Sequence, residues 1–170
     1  DEDDPLTGVV GEADTDVLNK AGHGLSNGNL VVLRSKSGGV GLYEEMPYFV
    51  VGVAGDDFQL SKRPGGTAVD FSTDIVDTSV VRLVEISGGS PAYARAAIAF
   101  DNPNDGLMDD STDGAVFDVP AGATVDYAGF FSASSAGVLL AIDAVESESF
   151  GAQGNYTLTD AKFHLNADEV

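Results

Sequence analysis

The densest set of oxygen donors in the chain is Asp109-Asp110-Ser111-Thr112-Asp113-Gly114. Oxygens at the first, third and fifth positions, on Asp109, Ser111 and Asp113, followed by glycine, open a calcium loop. A hard cation needs several oxygens gathered around a sharp bend. The twelfth position from Asp109 is Pro120, where an EF-hand places a bidentate glutamate. Asp, Ser and Gly are also ordinary turn residues, so a solvated hairpin turn accounts for the same run. Asp101-Asn102-Pro103-Asn104-Asp105 brings further oxygens close by and suits a plain loop equally well.

Other chemistry lacks partners. His23 stands in a glycine-flanked turn, and the second histidine, His164, lies far along the chain. A metal or catalytic histidine needs converging groups, so His23 reads as a hydrogen-bonding turn residue. No serine sits in a Gly-x-Ser-x-Gly elbow. Glu44 and Glu45 are adjacent, and Glu146 and Glu148 alternate with serine. Neither pair has the cleft-spanning separation that glycoside hydrolysis requires. Gly65-Gly66-Thr67 lacks the lysine and the spacing of a phosphate loop. The expectation is a protein without an enzyme site and without a cofactor, calcium at Asp109, Ser111 and Asp113 excepted.

Charge narrows the partners. The 170 residues carry 28 acids against 8 bases, a formal net charge of -20. Nucleic acid is excluded as a partner, because phosphate binding depends on Lys and Arg. Insertion into a membrane is not expected, since no apolar run approaches the roughly 18 residues a helix needs. Self-repulsion at this charge weakens a compact state at low salt. A Debye length of roughly 3 Å at 1 M removes most of that penalty. The composition therefore suits a saline, halophilic setting, and an ordinary host with a moderately acidic protein is the alternative. Hydrophobic residues make up 43%, enough for a core that disordered acidic tails lack. Cysteine is absent, which excludes disulfides and thiolate metal sites. The opening Asp1-Glu2-Asp3-Asp4-Pro5 is unlike a signal peptide, and a start without Met suggests that something upstream was removed or left outside the numbering.

The elements that would position these residues are strands. Short apolar runs bounded by turn signals recur throughout, and 21 glycines punctuate them. Strands are predicted over 29–34, 48–53, 58–61, 68–71 and 76–86 in the first half. In the second they are predicted over 93–100, 115–119, 124–131, 138–145 and 156–165. For 93–100, an alanine-rich stretch, a short helix is the alternative. Gly88-Gly89-Ser90-Pro91 is the predicted boundary. The fold class expected is all-β, with two small antiparallel β-barrel or sandwich modules in tandem. Residues 1–11 would be a flexible acidic arm, 12–87 a small barrel-like module and 90–170 a sandwich module.

Both halves resemble structural proteins of tailed viruses. His23-Gly24-Leu25-Ser26-Asn27-Gly28 before Val31-Val32-Leu33 is similar to the opening of a small β-module in such proteins. Asp57-Phe58-Gln59-Leu60-Ser61 and Pro64-Gly65-Gly66 resemble its later strand and turn. The second half resembles a family labelled phage tail fibre proteins, through Gly88-Gly89-Ser90-Pro91-Ala92-Tyr93-Ala94-Arg95 and Val116-Phe117-Asp118-Val119-Pro120. The runs over 125–131 and 136–140, and Gly154-Asn155-Tyr156, continue that likeness. The resemblance implies a non-enzymatic particle component on the virion exterior. Two compact modules without a heptad coil, a collagen repeat or a long shaft favour a capsid decoration (cement) protein on the head. Its partner would be the major capsid protein or another virion protein, and it would be a homo-oligomer, a trimer by analogy. A tail-fibre or receptor-binding module for host attachment is the alternative, and a calcium-dependent carbohydrate-binding protein is a third.

Overall fold

A computed structural model describes residues 4–98, 107–109, 115–159 and 162–164. Among them every regular element is a strand, so the chain is all-β. It divides between Glu85 and Ile86 into two compact units.

The first unit is a closed barrel of six strands, built from antiparallel pairs. In chain order these are β1 (Leu6–Glu12), β2 (Val17–Asn19), β3 (Leu30–Gly38), β4 (Tyr48–Ala54), β5 (Asp57–Ser61) and β6 (Ile75–Leu83). Around the barrel they run β1-β2-β5-β4-β3-β6, and closure leaves no free sheet edge. Side-chain alternation fills the interior: Tyr48 and Val50 on β4, and Phe58 and Leu60 on β5, are buried in one cluster with Val9 and Val80. The β4–β5 hairpin turns at Gly55-Asp56, with Gly55 at φ 67° in the first central position that primed hairpin turns reserve for glycine. Gly38 is needed for a different reason. At φ 93° it lies so close to β6 that a Cβ would fall 1.9 Å from the carbonyl oxygen of Asp74.

Two sequence expectations change here. Residues 6–11 do not belong to a flexible arm, and residues 1–3 of the expected arm lie outside the described residues. Leu6–Glu12 is β1, hydrogen-bonded to both β2 and β6, with Val9 fully buried. Acidic residues before it, and Gly8 and Gly11 within it, hide the strand pattern. Gly8 sits at φ 69°, where the register to β6 shifts between Leu6 and Val9. The predicted strand over 68–71 has no ladder either. Phe71 is buried, but its N–H is donated to the Asp16 carboxylate at 3.0 Å, and Val69 N–H goes to the carbonyl of Leu60 at 2.7 Å.

Carboxylates hold several of the barrel's turns. Besides Asp16, Asp74 accepts the N–H of Ala13 at 2.9 Å, and Asp56 accepts that of Gly22 at 3.1 Å. Asp57 accepts the Asn19 side-chain amide at 2.5 Å. Each ties together segments far apart in sequence.

The second unit contains three two-stranded antiparallel ladders among the described residues. They comprise β7 (Leu107–Asp109) with β12 (Lys162–His164), β8 (Ala115–Val119) with β11 (Gly154–Leu158), and β9 (Thr124–Phe131) with β10 (Leu139–Ser149). Its core gathers Val119, Ala123, Val125 and Phe150, with Ile86 packed against them. Ile86 therefore belongs here, not to the first module's closing strand as its apolar neighbours suggested. Gly88-Gly89-Ser90-Pro91 is a built turn, not a linker. Tyr93 N–H reaches the Gly88 carbonyl at 2.8 Å, while Gln153 accepts from Ser90 N–H and donates to the Pro91 carbonyl, both at 2.7 Å. No strand forms over 93–98, and residues 99 and 100 lie outside the described part.

Candidate functional site

The second unit holds a groove of about 570 Å³, within the size range of small-ligand pockets. Its walls are aromatic. Tyr93 stacks on Phe117, with ring centroids 6.1 Å apart and planes 20° apart. Arg95 lies over the ring of Phe131 at 3.5 Å from its centroid and donates to the carbonyl of Ala133 at 3.0 Å. This cation–π contact and the hydrogen bond pin the segment after Pro91 against the tip of the β9–β10 hairpin. The hairpin tip closes through Ser132, whose N–H meets the Val138 carbonyl at 2.9 Å while its hydroxyl accepts the Val138 N–H at 2.9 Å. Leu140 lines the groove from β10 and stays 63% exposed, so an apolar side chain there still faces water.

The electrostatics of this unit are one-sided. Residues 115–159 contain five acids, Asp118, Asp126, Asp143, Glu146 and Glu148, and no Lys or Arg. Tyr156 lines the groove beside two of them. Its phenol is held above the ordinary tyrosine range, first by desolvation and then by the negative charge of Glu148 and Glu146. Among the described lining residues Arg95 is the one cation.

Of the residues singled out in the sequence as candidate chemistry, Glu146 and Glu148 border the groove beside Tyr156, and the others fall elsewhere. Asp109 ends β7, paired in register with Lys162, while Ser111 and Asp113 lie outside the described residues. The run from Asp101 to Asp105 also lies outside them. His23 is buried in the barrel unit, where its ring packs on Phe58 at 5.1 Å and its Nδ1 accepts the N–H of Leu25 at 2.8 Å. That bond places the ring proton on Nε2, which has no hydrogen-bond partner among the described residues. His164 is on β12, opposite Leu107. Glu44 accepts the Lys36 N–H, and Glu45 pairs with Arg34 at 3.3 Å, so both support the loop between β3 and β4. Gly66 turns back onto the Arg63 carbonyl at 3.1 Å.

No protein-family model, curated protein or solved structure matches this chain. The site must therefore be read from its own geometry. The groove offers apolar surface, aromatic faces and an acidic border. No cluster of three or more His, Asp or Glu side chains placed to hold a metal occurs among the described residues. The arrangement can take up apolar side chains and attract cations. Sequence reasoning missed it because its walls come from residues scattered between 86 and 158. The available signal was the aromatic richness of the second half together with its scarcity of bases, Arg95 and Lys162 alone after residue 86.

Proposed function

We propose that the chain is a non-enzymatic structural protein of a tailed-virus particle, a capsid decoration protein on the outside of the head. The observation that carries this reading is the contrast between the two units. The barrel has no free edge and a continuous core, as a rigid body needs. Among the described residues the second unit keeps open ladder edges and exposed Val116, Val138 and Leu140, the last of which lines an aromatic groove. Unpaired edges and exposed apolar side chains are what a docking module presents to a neighbouring protein.

The resemblance of both halves to virion modules supports the same reading, with the second unit as a sandwich-like module in tandem with the barrel. The major capsid protein is the partner this assigns, and a trimer is the assembly. Neither nucleic acid nor a bilayer has a role in it. The tail-fibre alternative is supported by the likeness of residues 88–156 to modules labelled as such, and the groove would then face a host receptor.

Counting copies in purified particles separates these readings. Hundreds of copies, located on the head by imaging, are expected for decoration. A few copies at the tail would replace it with the alternative, and absence from particles would overturn both.

A further inference from the structure

We propose that the outer edge of β10 and the adjoining groove receive an extended, basic segment of another protein, added to the β9–β10 ladder as a third strand. This inference rests on the reading of the second unit as a docking module, and it names the chemistry of the partner.

The backbone argument comes first. Among the described residues β10 is the longest strand, 11 residues, and it pairs with β9 alone. A two-stranded ladder is marginal by itself, and an open edge of this length is a template for another strand. Proteins blunt such edges with charged side chains, lysine above all, with bulges or with proline. β10 has no lysine or proline, and its charges, Asp143, Glu146 and Glu148, are all acidic, so they repel another acidic edge and not a basic one.

Charge then selects the occupant. Glu146 and Glu148 are two residues apart and exposed, and both lie close enough to Tyr156 to raise its phenol. Asp143 is exposed on the same strand. With five acids and no base over 115–159, a second copy of this edge would bring like charge against like charge. A strand with Lys or Arg at alternate positions would bring opposite charge. At the other end of β10, Leu140 opens onto the apolar groove, so the incoming strand needs an apolar residue there. The fitting segment therefore combines alternate basic residues with apolar ones.

The test uses the full chain, a twelve-residue peptide of alternating lysine and valine, and its glutamate-for-lysine counterpart. Amide shifts and hydrogen-exchange protection report where the peptide sits. The lysine peptide should protect amides of 139–149 and bind at least tenfold tighter than the glutamate peptide. Leu140→Glu, at an already exposed position, and the pair Glu146→Lys with Glu148→Lys should each weaken it at least tenfold. Equal binding of both peptides would overturn the proposal, as would shifts spread over the barrel. So would a failure to protect 139–149 at millimolar peptide. Sedimentation showing self-association that Leu140→Glu abolishes would instead assign the edge to a second copy, also overturning it. Finding the protein on particles is a separate measurement. A failed peptide experiment therefore leaves the virion reading standing, and absence from particles leaves the edge chemistry to be judged by the peptide.

Discussion

Tyr48→Phe removes one hydroxyl from a core that is otherwise left as it stands. Tyr48 is fully buried on β4, and its hydroxyl oxygen accepts the N–H of Tyr43 at 2.9 Å. The ring packing survives the substitution, while the Tyr43 N–H loses its acceptor. A hydrogen bond of this kind contributes about 1 kcal/mol net, and up to about 3 kcal/mol is lost where the abandoned donor stays dry. Tyr43 itself is 61% exposed, which gives water a route to its N–H and favours the lower figure. The same hydroxyl makes the cost depend on pH. Burial pushes the Tyr48 phenol above the usual tyrosine value of 10.0, with the Tyr43 N–H opposing and Tyr43 charge adding to it. A raised folded-state pKa means that this stabilisation is complete below about pH 10, the unfolded value. It is lost as pH climbs towards the folded one, by up to about 1.4 kcal/mol per pH unit. Phenylalanine has no such loss. Urea unfolding of the full chain, followed through core amides of β3 and β6, should show the variant about 1 kcal/mol weaker at pH 7. The gap should close or reverse by pH 11. Equal stability at pH 7, or a gap that stays constant to pH 11, would refute the argument.

Three further outcomes follow from the same kind of contact. Asp16→Ala should destabilise the barrel by about 1–2 kcal/mol, because the Phe71 N–H loses its partner and a residue at φ 55° loses the tolerance Asp has there; Asp16→Asn should recover most of it, read by urea midpoint. Gln153→Ala should leave the barrel untouched and speed hydrogen exchange at Ser90 and Tyr93 several-fold, since both bonds to the 90–91 turn disappear. For the Asp109, Ser111 and Asp113 run, the turn reading predicts no calorimetric heat with millimolar calcium; a saturable signal lost in Asp113→Ala would reinstate the ion site.

What was legible in the sequence was local. Val31 to Leu33, Tyr48 with Val50, and Phe58 with Leu60 announce strands because β-branched and aromatic residues recur between turn signals. β1 was not legible, since an acidic opening and two glycines broke the alternation that Val9 anchors. β2, three residues long, carries too little pattern to stand out. Phe71 misled in the opposite direction: its apolar neighbours mark a buried anchor, yet its N–H goes to the Asp16 carboxylate, and the single bond from Val69 to Leu60 on β5 does not make a ladder. Gly88 to Pro91 carried the composition of a linker, and only the contact with Gln153, 62 residues after Pro91, turns it into part of a unit. Barrel closure and the groove depend on such distant pairs, which periodicity within one window does not encode.

The acid count also divides once the contacts are known. In the barrel, Asp16, Asp56, Asp57 and Asp74 each accept a specific donor, so part of the negative charge there is structural and does not merely coat the surface. Those bonds act at hydrogen-bonding distance, well inside the Debye length, so salt weakens them less than it weakens longer-range repulsion. In residues 115–159 the balance is different. Asp118 accepts the Asn155 amide at 3.1 Å and Asp143 accepts the N–H of Ala144, yet no base is present to offset five carboxylates. Among the described residues that unit also has the smaller core. Repulsion among its carboxylates is therefore opposed by less buried apolar surface, and screening or a basic partner relieves it directly. A need for salt and the proposed cationic strand would have one cause, the unbalanced acids around β10, so binding a basic strand is expected to lower the salt concentration at which this unit reaches full stability, read by urea midpoints with and without the peptide.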